Sequence, residues 1–330
     1  MPKLTQEIID NYETLFGRKV KSNNVPGLPG KVLAKSEEGS VKVRLDDYRS
    51  IVGKLLYLST KLRPDIANAV RELSSHLSHP NDSHWDAVEK LVGYLKVNGE
   101  QKIEFHRPQT LSFIGFCDAD WAKDSSRKSI SGRIGTVGGM LVSWQSARQN
   151  CVTLSSTESE YVSLANCCQE AVFVRNLIKE LTNFEKLAIV FEDNVGAIFL
   201  VKNQQVGPRT KHIDIRAHWI RGLSGQVKID FVRSEDNVAD ILTKNLALKE
   251  FDKHASNIFK GNIVPQAIMV TIIGEDVKNS GRPRSDLVTT KVHPLISNNS
   301  KSNDAFVENI MDDAKWTVVS KDKKNKRNKG

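Results

Sequence analysis

Cysteine is scarce and unpatterned. The four thiols, Cys117, Cys151, Cys167 and Cys168, form no C-x-x-C pair and keep no spacing to histidine that suggests zinc. Buried free thiols of a reducing compartment are expected instead. Long apolar runs are missing too. Nowhere do about 18 or more apolar residues follow one another, as a membrane-crossing helix requires. The opening residues Met1-Pro2-Lys3-Leu4-Thr5-Gln6 have no apolar signal core. We therefore expect an intracellular protein, cytoplasmic or nuclear, with no membrane partner. No internal repeat is present. Acidic charge is in the minority, with 39 Asp and Glu against 48 Lys and Arg and a formal net charge of +9. That excess favours polyanionic partners, because Lys and Arg that neutralise phosphates release counterions.

What is present suffices for a folded core. At 330 residues and 39% hydrophobic content, one or two domains with extensions are expected. Residues 1–45 hold a short amphipathic piece, Ile8 to Phe16, and then Pro26-Gly27-Leu28-Pro29-Gly30, whose paired Pro-Gly steps mark a linker. Residues 46–98 read as a small helical subdomain of three helices, with Arg63-Pro64-Asp65 interrupting the first two and Trp85 to Val97 forming the third. After Asn98-Gly99 the period falls to two, and alternation places Asp118 on the face of Ile114 and Phe116. Gly138-Gly139 between two β-rich runs signals a hairpin. Three antiparallel strands followed by α-β-α-β-α give a mixed five-stranded sheet flanked by helices over 108–250. In that order the first and fourth strands are neighbours, which brings Asp118 and Asp193 together. The later helices include 210–223 and one with Val238, Ala239, Ile241 and Leu242. Residues 263–273 read as a strand. Residues 262–330 are otherwise a poorly defined, partly disordered basic extension.

Carboxylates supply the chemistry. Asp118 closes a strand where the chain turns. Further acids stand in Ser156-Thr157-Glu158-Ser159-Glu160-Tyr161, in Glu192-Asp193-Asn194 and in Glu235-Asp236-Asn237-Val238-Ala239-Asp240, each at an element junction. Converging at neighbouring strand and helix ends, four such acids would hold two divalent cations for phosphodiester hydrolysis. In the second stretch the two glutamates separate by position. With Ser155 as N-cap, Glu158 completes a capping box, whereas Glu160 lies beside the buried stripe, where an acid needs a partner or a metal. Asp120 reads as a turn residue. Trp144, Trp219 and Tyr161 read as core.

The ordered motifs Cys117-Asp118-Ala119-Asp120-Trp121-Ala122, Arg127 to Gly132, Val142-Ser143-Trp144, Leu154 to Tyr161, Glu192-Asp193-Asn194, Arg209 to Arg216 and Ala239 to Lys244 together resemble the ribonuclease H domain of Ty1/copia-type retrotransposon Pol polyproteins. Tyr48 to Leu58 and Arg63-Pro64-Asp65-Ile66 are similar to the end of the reverse transcriptase in the same polyproteins. The resemblance covers about residues 40 to 250. It implies a ribonuclease H-like fold with a connection-like helical subdomain before it. It also implies hydrolysis of the RNA strand of RNA/DNA hybrids by two Mg²⁺ ions, with Mn²⁺ as a substitute, held by Asp118, Glu160, Asp193 and Asp240. Lys123, Arg127, Lys128, Arg148 and Lys211 are candidates for phosphate contact, and His212 and Asp214 for substrate contact or helix packing. No Tyr-x-Asp-Asp turn stands before Tyr48, so polymerisation is not expected, and the chain reads as the C-terminal fragment of a longer Pol. The loop before the last Asp, Arg233-Ser234-Glu235-Asp236, lacks the histidine of many cellular ribonucleases H. Two alternatives stay open: a catalytically silent nucleic-acid-binding module, and a support for a separate polymerase portion as partner.

Overall fold

The computed structural model describes residues 2–35, 44–108, 110–122, 126–202, 216 and 218–280, with side chains to 274. Met1–Gly281 form one compact unit, and residues 282–330 lie outside the described residues. Lys123, Lys211, His212, Asp214 and half of the helix expected over 210–223 also lie outside them.

Helices α1 (Pro2–Phe16), α2 (Leu45–Lys61), α3 (Ala67–Ser74) and α4 (Asp82–Asn98) precede the sheet. Pro64–Ile66 forms a 3₁₀ turn before α3, with Pro64 fixing the first position. Strands β1 (Phe113–Asp120), β2 (Ile130–Val137) and β3 (Met140–Arg148) are an antiparallel meander. Gly138 and Gly139 both take positive φ (57° and 89°) in the β2–β3 turn, which side chains disfavour. Helix α5 (Ser156–Thr182) follows, then β4 (Ala188–Glu192), α6 (Val195–Lys202) and β5 (Val227–Phe231). The sheet order is β3-β2-β1-β4-β5, with β4 parallel to both β1 and β5. This is the mixed five-stranded, helix-flanked sheet of the ribonuclease H-like class. Asp118 pairs with Gly132 inside β1, which runs on to Asp120 instead of closing at Asp118.

Each sheet face has its own core. Phe113, Cys117 and Val190 pack under Tyr161, Leu164 and Cys168 of α5. On the other face Ile114, Phe116, Ile134 and Phe191 join a core that includes Ile8 and Tyr12 of α1, Leu55 of α2 and Leu91 of α4. The helices before the sheet and the sheet itself thus share one apolar interior, and each fully buried Leu or Ile in it contributes about 1.5–3 kcal/mol.

Other readings change as well. Residues 263–273 are not a strand but lie in the connection after α7 (Leu248–Phe259) and in α8 (Gln266–Ser280). A short apolar run does not separate strand from helix. Here Pro265 starts the helix, its carbonyl accepting from Ile268 N and Met269 N, and Met269 and Ile272 are buried while Val270 is exposed. Val238–Leu242 is a 3₁₀ turn rather than an α-helix. Finally, 27 residues make α5 roughly 40 Å long, against about 26 Å for an eight-residue strand. The helix outruns the sheet, and Leu177 and Leu181 near its end are exposed rather than part of the apolar stripe.

Candidate metal centre

Three elements bring three of the acids together. Asp118 is fixed on β1, where the Ser163 hydroxyl donates to its carbonyl at 2.8 Å. Glu160 sits in the first turns of α5, whose start is set by Ser155: its hydroxyl accepts from Glu158 N at 3.2 Å. Glu158 in turn accepts at 2.7 Å from the N–H of Leu154, the residue before the N-cap, and not from the Ser155 N–H of the expected capping box, and so ties down the helix start. Asp193 directly follows β4. One carboxylate oxygen from each of Asp118, Glu160 and Asp193 lies within 4.8 Å of the others.

Asp240 arrives on the 3₁₀ turn. A Cβ on Gly132 would stand 2.7 Å from Thr243 Cγ2 and 2.9 Å from Ala239 O, so only glycine lets this turn lie against β2. Asn237 anchors it, donating to Cys117 O at 2.8 Å and accepting from Ala239 N at 3.2 Å. Asp240 is not within the 4.8 Å group but is tied to it through Lys244, whose ammonium lies 3.1 Å from Asp118 Oδ1 and 2.9 Å from Asp240 Oδ1. The Thr243 hydroxyl donates to Asp118 Oδ2.

Crowded acids in a dry site resist ionisation. Burial, then the nearby Glu192, Asp118 and Asp193 carboxylates, push Glu160 up to about 11. Burial and Asp118 raise Asp240 to about 8 in spite of Lys244. Burial also raises Asp193, against hydrogen bonds from Ser234 and Asn237. Burial alone would depress Lys244, but Asp118 and Asp240 more than reverse it and hold it charged. Glu160 Oε2 is buried without a hydrogen-bond partner. A hard divalent cation suits this donor set, since it would neutralise the mutual repulsion and occupy that bare oxygen.

Glu192 is an acid that sequence reasoning passed over. It is fully buried, accepting from Asn194 N at 3.0 Å and from the Cys117 thiol at 3.1 Å, and burial holds its carboxyl well above the usual range. The expected phosphate contacts are scattered. Arg127 is exposed and Lys128 half-buried in the β1–β2 connection. Arg148, at the end of β3, lines a cleft of about 330 Å³ together with Asp120, Thr243 and Lys244. Asp120 is half-buried within β1 and Tyr161 fully buried, while Trp219 is partly exposed and Trp144 donates its indole N–H to Ser59 O at 2.8 Å.

A pH dependence follows. Between the ordinary value of 4.5 and about 11, the folded chain keeps a proton on Glu160 that the unfolded chain has released. Metal-free stability therefore falls as pH rises through that window. Thermal melts should show Tm dropping from pH 5 to 9, a shallower drop in Glu160→Gln, and a larger gain from Mg²⁺ at the alkaline end.

No family model matches the chain. It is 38% identical over 208 residues to the retrovirus-related Pol polyprotein from transposon TNT 1-94 of Nicotiana tabacum, covering 62% of this chain and 16% of that one. It is 37% identical over 216 residues to the corresponding polyprotein from transposon RE2 of Arabidopsis thaliana, covering 64% and 15%. The chain thus spans under a fifth of the length of these relatives. A 128-residue stretch is 44% identical to secreted RxLR effector protein 161 of Plasmopara viticola, covering 38% of this chain and 90% of that protein. Among solved structures, the N-terminal RNase H domain of rv2228c from Mycobacterium tuberculosis matches 45% of this chain at 14% identity and a TM-score of 0.32. None of the described helices is long and apolar enough to cross a membrane. Motifs, sheet order and relatives agree: the chain is homologous, over about two thirds of its length, to part of the retrovirus-related Pol polyproteins of copia-type transposons, and it has a ribonuclease H-like fold.

Proposed function

We propose that the chain is a metal-dependent nuclease that cuts the RNA strand of RNA/DNA hybrids. The observation that carries this reading is the meeting of Asp118, Glu160 and Asp193 within 4.8 Å, although 75 residues separate the first from the last. Two Mg²⁺ ions at Asp118, Glu160, Asp193 and Asp240 would supply Lewis acidity, activating the attacking water and stabilising the departing 3′ oxygen. The protein's own part is orientation. Thr243 and Lys244 fix the two oxygens of Asp118, and Ser234 and Asn237 steady Asp193. Glu160 keeps one oxygen bare. Lys123, Arg127, Lys128, Arg148 and Lys211 are assigned phosphate contact from sequence. A hybrid is told from other duplexes by its 2′-hydroxyls and groove shape. Incubation of the full chain with a labelled hybrid in Mg²⁺ tests this: cleavage of the RNA strand is expected, and an intact hybrid under conditions where Mn²⁺ binds would end the assignment.

A second reading, a non-catalytic binding module, draws on the stretch that recurs as nearly the whole of an effector protein. It requires salt-sensitive hybrid binding without turnover.

Lys244 gives a separate prediction. Its charge sits on two of the acids assigned to the metal, so it opposes a second cation there. Lys244→Met should bind Mn²⁺ on the order of tenfold more tightly by calorimetry. Unchanged or weaker binding would show that the ammonium does not compete.

A further inference from the structure

Immediately after Lys244, Asn245 uses its whole side chain. Its amide donates to Lys31 O at 2.9 Å and to Glu72 Oε2 at 3.0 Å, and its Oδ1 accepts from Asn68 Nδ2 at 3.1 Å. Its backbone carbonyl accepts from Gly30 N at 3.0 Å. These partners lie up to 214 residues away, on α3 and on the Pro-Gly segment expected to be a linker. The segment is itself held to α3, where Glu72 Oε1 accepts from Leu33 N at 2.6 Å. Gly27 leaves the space that the amide fills: a Cβ there would stand 2.2 Å from Asn245 Oδ1. Asn68 and Glu72 are both buried, one helical turn apart on α3.

A lysine side chain is long and rotamer-rich, so its ammonium stays between two carboxylates only if its backbone is held. On the Lys244 side the holding bonds are short-range, from Lys244 N to Asp240 O at 3.0 Å and from Thr243 N to Asp240 O at 3.1 Å. Beyond Lys244 the hold is Asn245. We propose that Asn245 is a positioning residue for the metal centre: clasped by α3 and the 27–33 segment, it keeps the Lys244 ammonium on Asp118 and Asp240 and so sets how tightly the acids bind a divalent cation. This rests on the reading of those acids as a metal site. It also gives the helices before the sheet a part in the centre's chemistry.

Asn245→Asp tests it, because a carboxylate facing Glu72 replaces a hydrogen bond by repulsion. The readout is Mn²⁺ affinity of the full chain by calorimetry. Asn245→Asp should tighten Mn²⁺ binding at least threefold, in the direction of Lys244→Met, and the double variant should add nothing to Lys244→Met alone. Glu72→Gln combined with Asn245→Asp should move the isotherm back toward wild type, since the glutamine amide can donate to the new carboxylate while its oxygen still accepts from Leu33 N, although the bond to Lys31 O stays lost. If Asn245→Asp fails to fold, Gly27→Ala displaces the same side chain from the other side and should give the same shift. A lowered Tm with an unchanged isotherm, or additive effects in the double variant, would overturn the proposal. A wild type that binds Mn²⁺ without cutting hybrid removes the nuclease and leaves this test intact.

Discussion

Asp193→Asn is expected to slow hybrid cleavage on the order of a thousandfold while leaving the metal-free protein as stable as wild type, or more so. The two halves have one origin. Asp193 adds negative charge to a group in which Glu160 is already pushed up to about 11 by burial and by neighbouring carboxylates, Asp193 among them. A neutral amide of the same shape relieves that repulsion, so folding gains. The same change takes the charge from one of the three carboxylates that meet within 4.8 Å. Lewis-acid stabilisation of a phosphoryl transition state is worth several kcal/mol, and each 1.36 kcal/mol is tenfold in rate. Activity and stability should therefore move in opposite directions, which a merely structural Asp193 would not produce. Initial rates at saturating Mg²⁺ alongside melts without metal decide it: retained cleavage, or a Tm loss parallel to the rate loss, contradicts the assignment.

The second large effect concerns folding. Arg63 and Asp65 are both buried, joined by two hydrogen bonds of 2.9 and 2.7 Å. Tyr94 donates to Asp65 Oδ2 at 2.7 Å, and Arg63 also donates to Asn98 O at 2.8 Å. The guanidinium lies 5.7 Å from the centre of the Tyr94 ring and 5.6 Å from that of Phe259, so the network joins the helices before the sheet to α7. Asp65→Ala strands a buried cation and should cost about 3–5 kcal/mol. Replacing both partners, as in Arg63→Met with Asp65→Leu, should cost markedly less, because no charge is then left alone. Urea denaturation with an unchanged m-value measures both. A single variant costing under about 1 kcal/mol would show that solvent reaches the guanidinium.

Much of the centre was legible because it follows local rules. Period two placed Asp118, capping chemistry separated Glu158 from Glu160, and chain order made β1 and β4 neighbours. Asp240 came from its motif alone, since nothing local distinguishes it from Glu235 or Asp236. Glu192 was legible in principle: alternation along β4 sets it on the face of the buried Val190, but an acid at a strand end reads as a boundary. Lys244 and Asn245 were not legible. Their roles come from contacts across 126 and up to 214 residues, which no periodicity encodes. The Pro-Gly stretch misled for the same reason, because its turn residues describe a path and not what the path packs against.

Anomalous diffraction from crystals of the full chain equilibrated with Mn²⁺ addresses the central claim directly. The account requires a strong peak bonded to oxygens of Asp118, Glu160 and Asp193 at about 2.0–2.3 Å, the range for a hard divalent cation. A map without a peak among these carboxylates, or with Mn²⁺ bound only elsewhere on the surface, would contradict it.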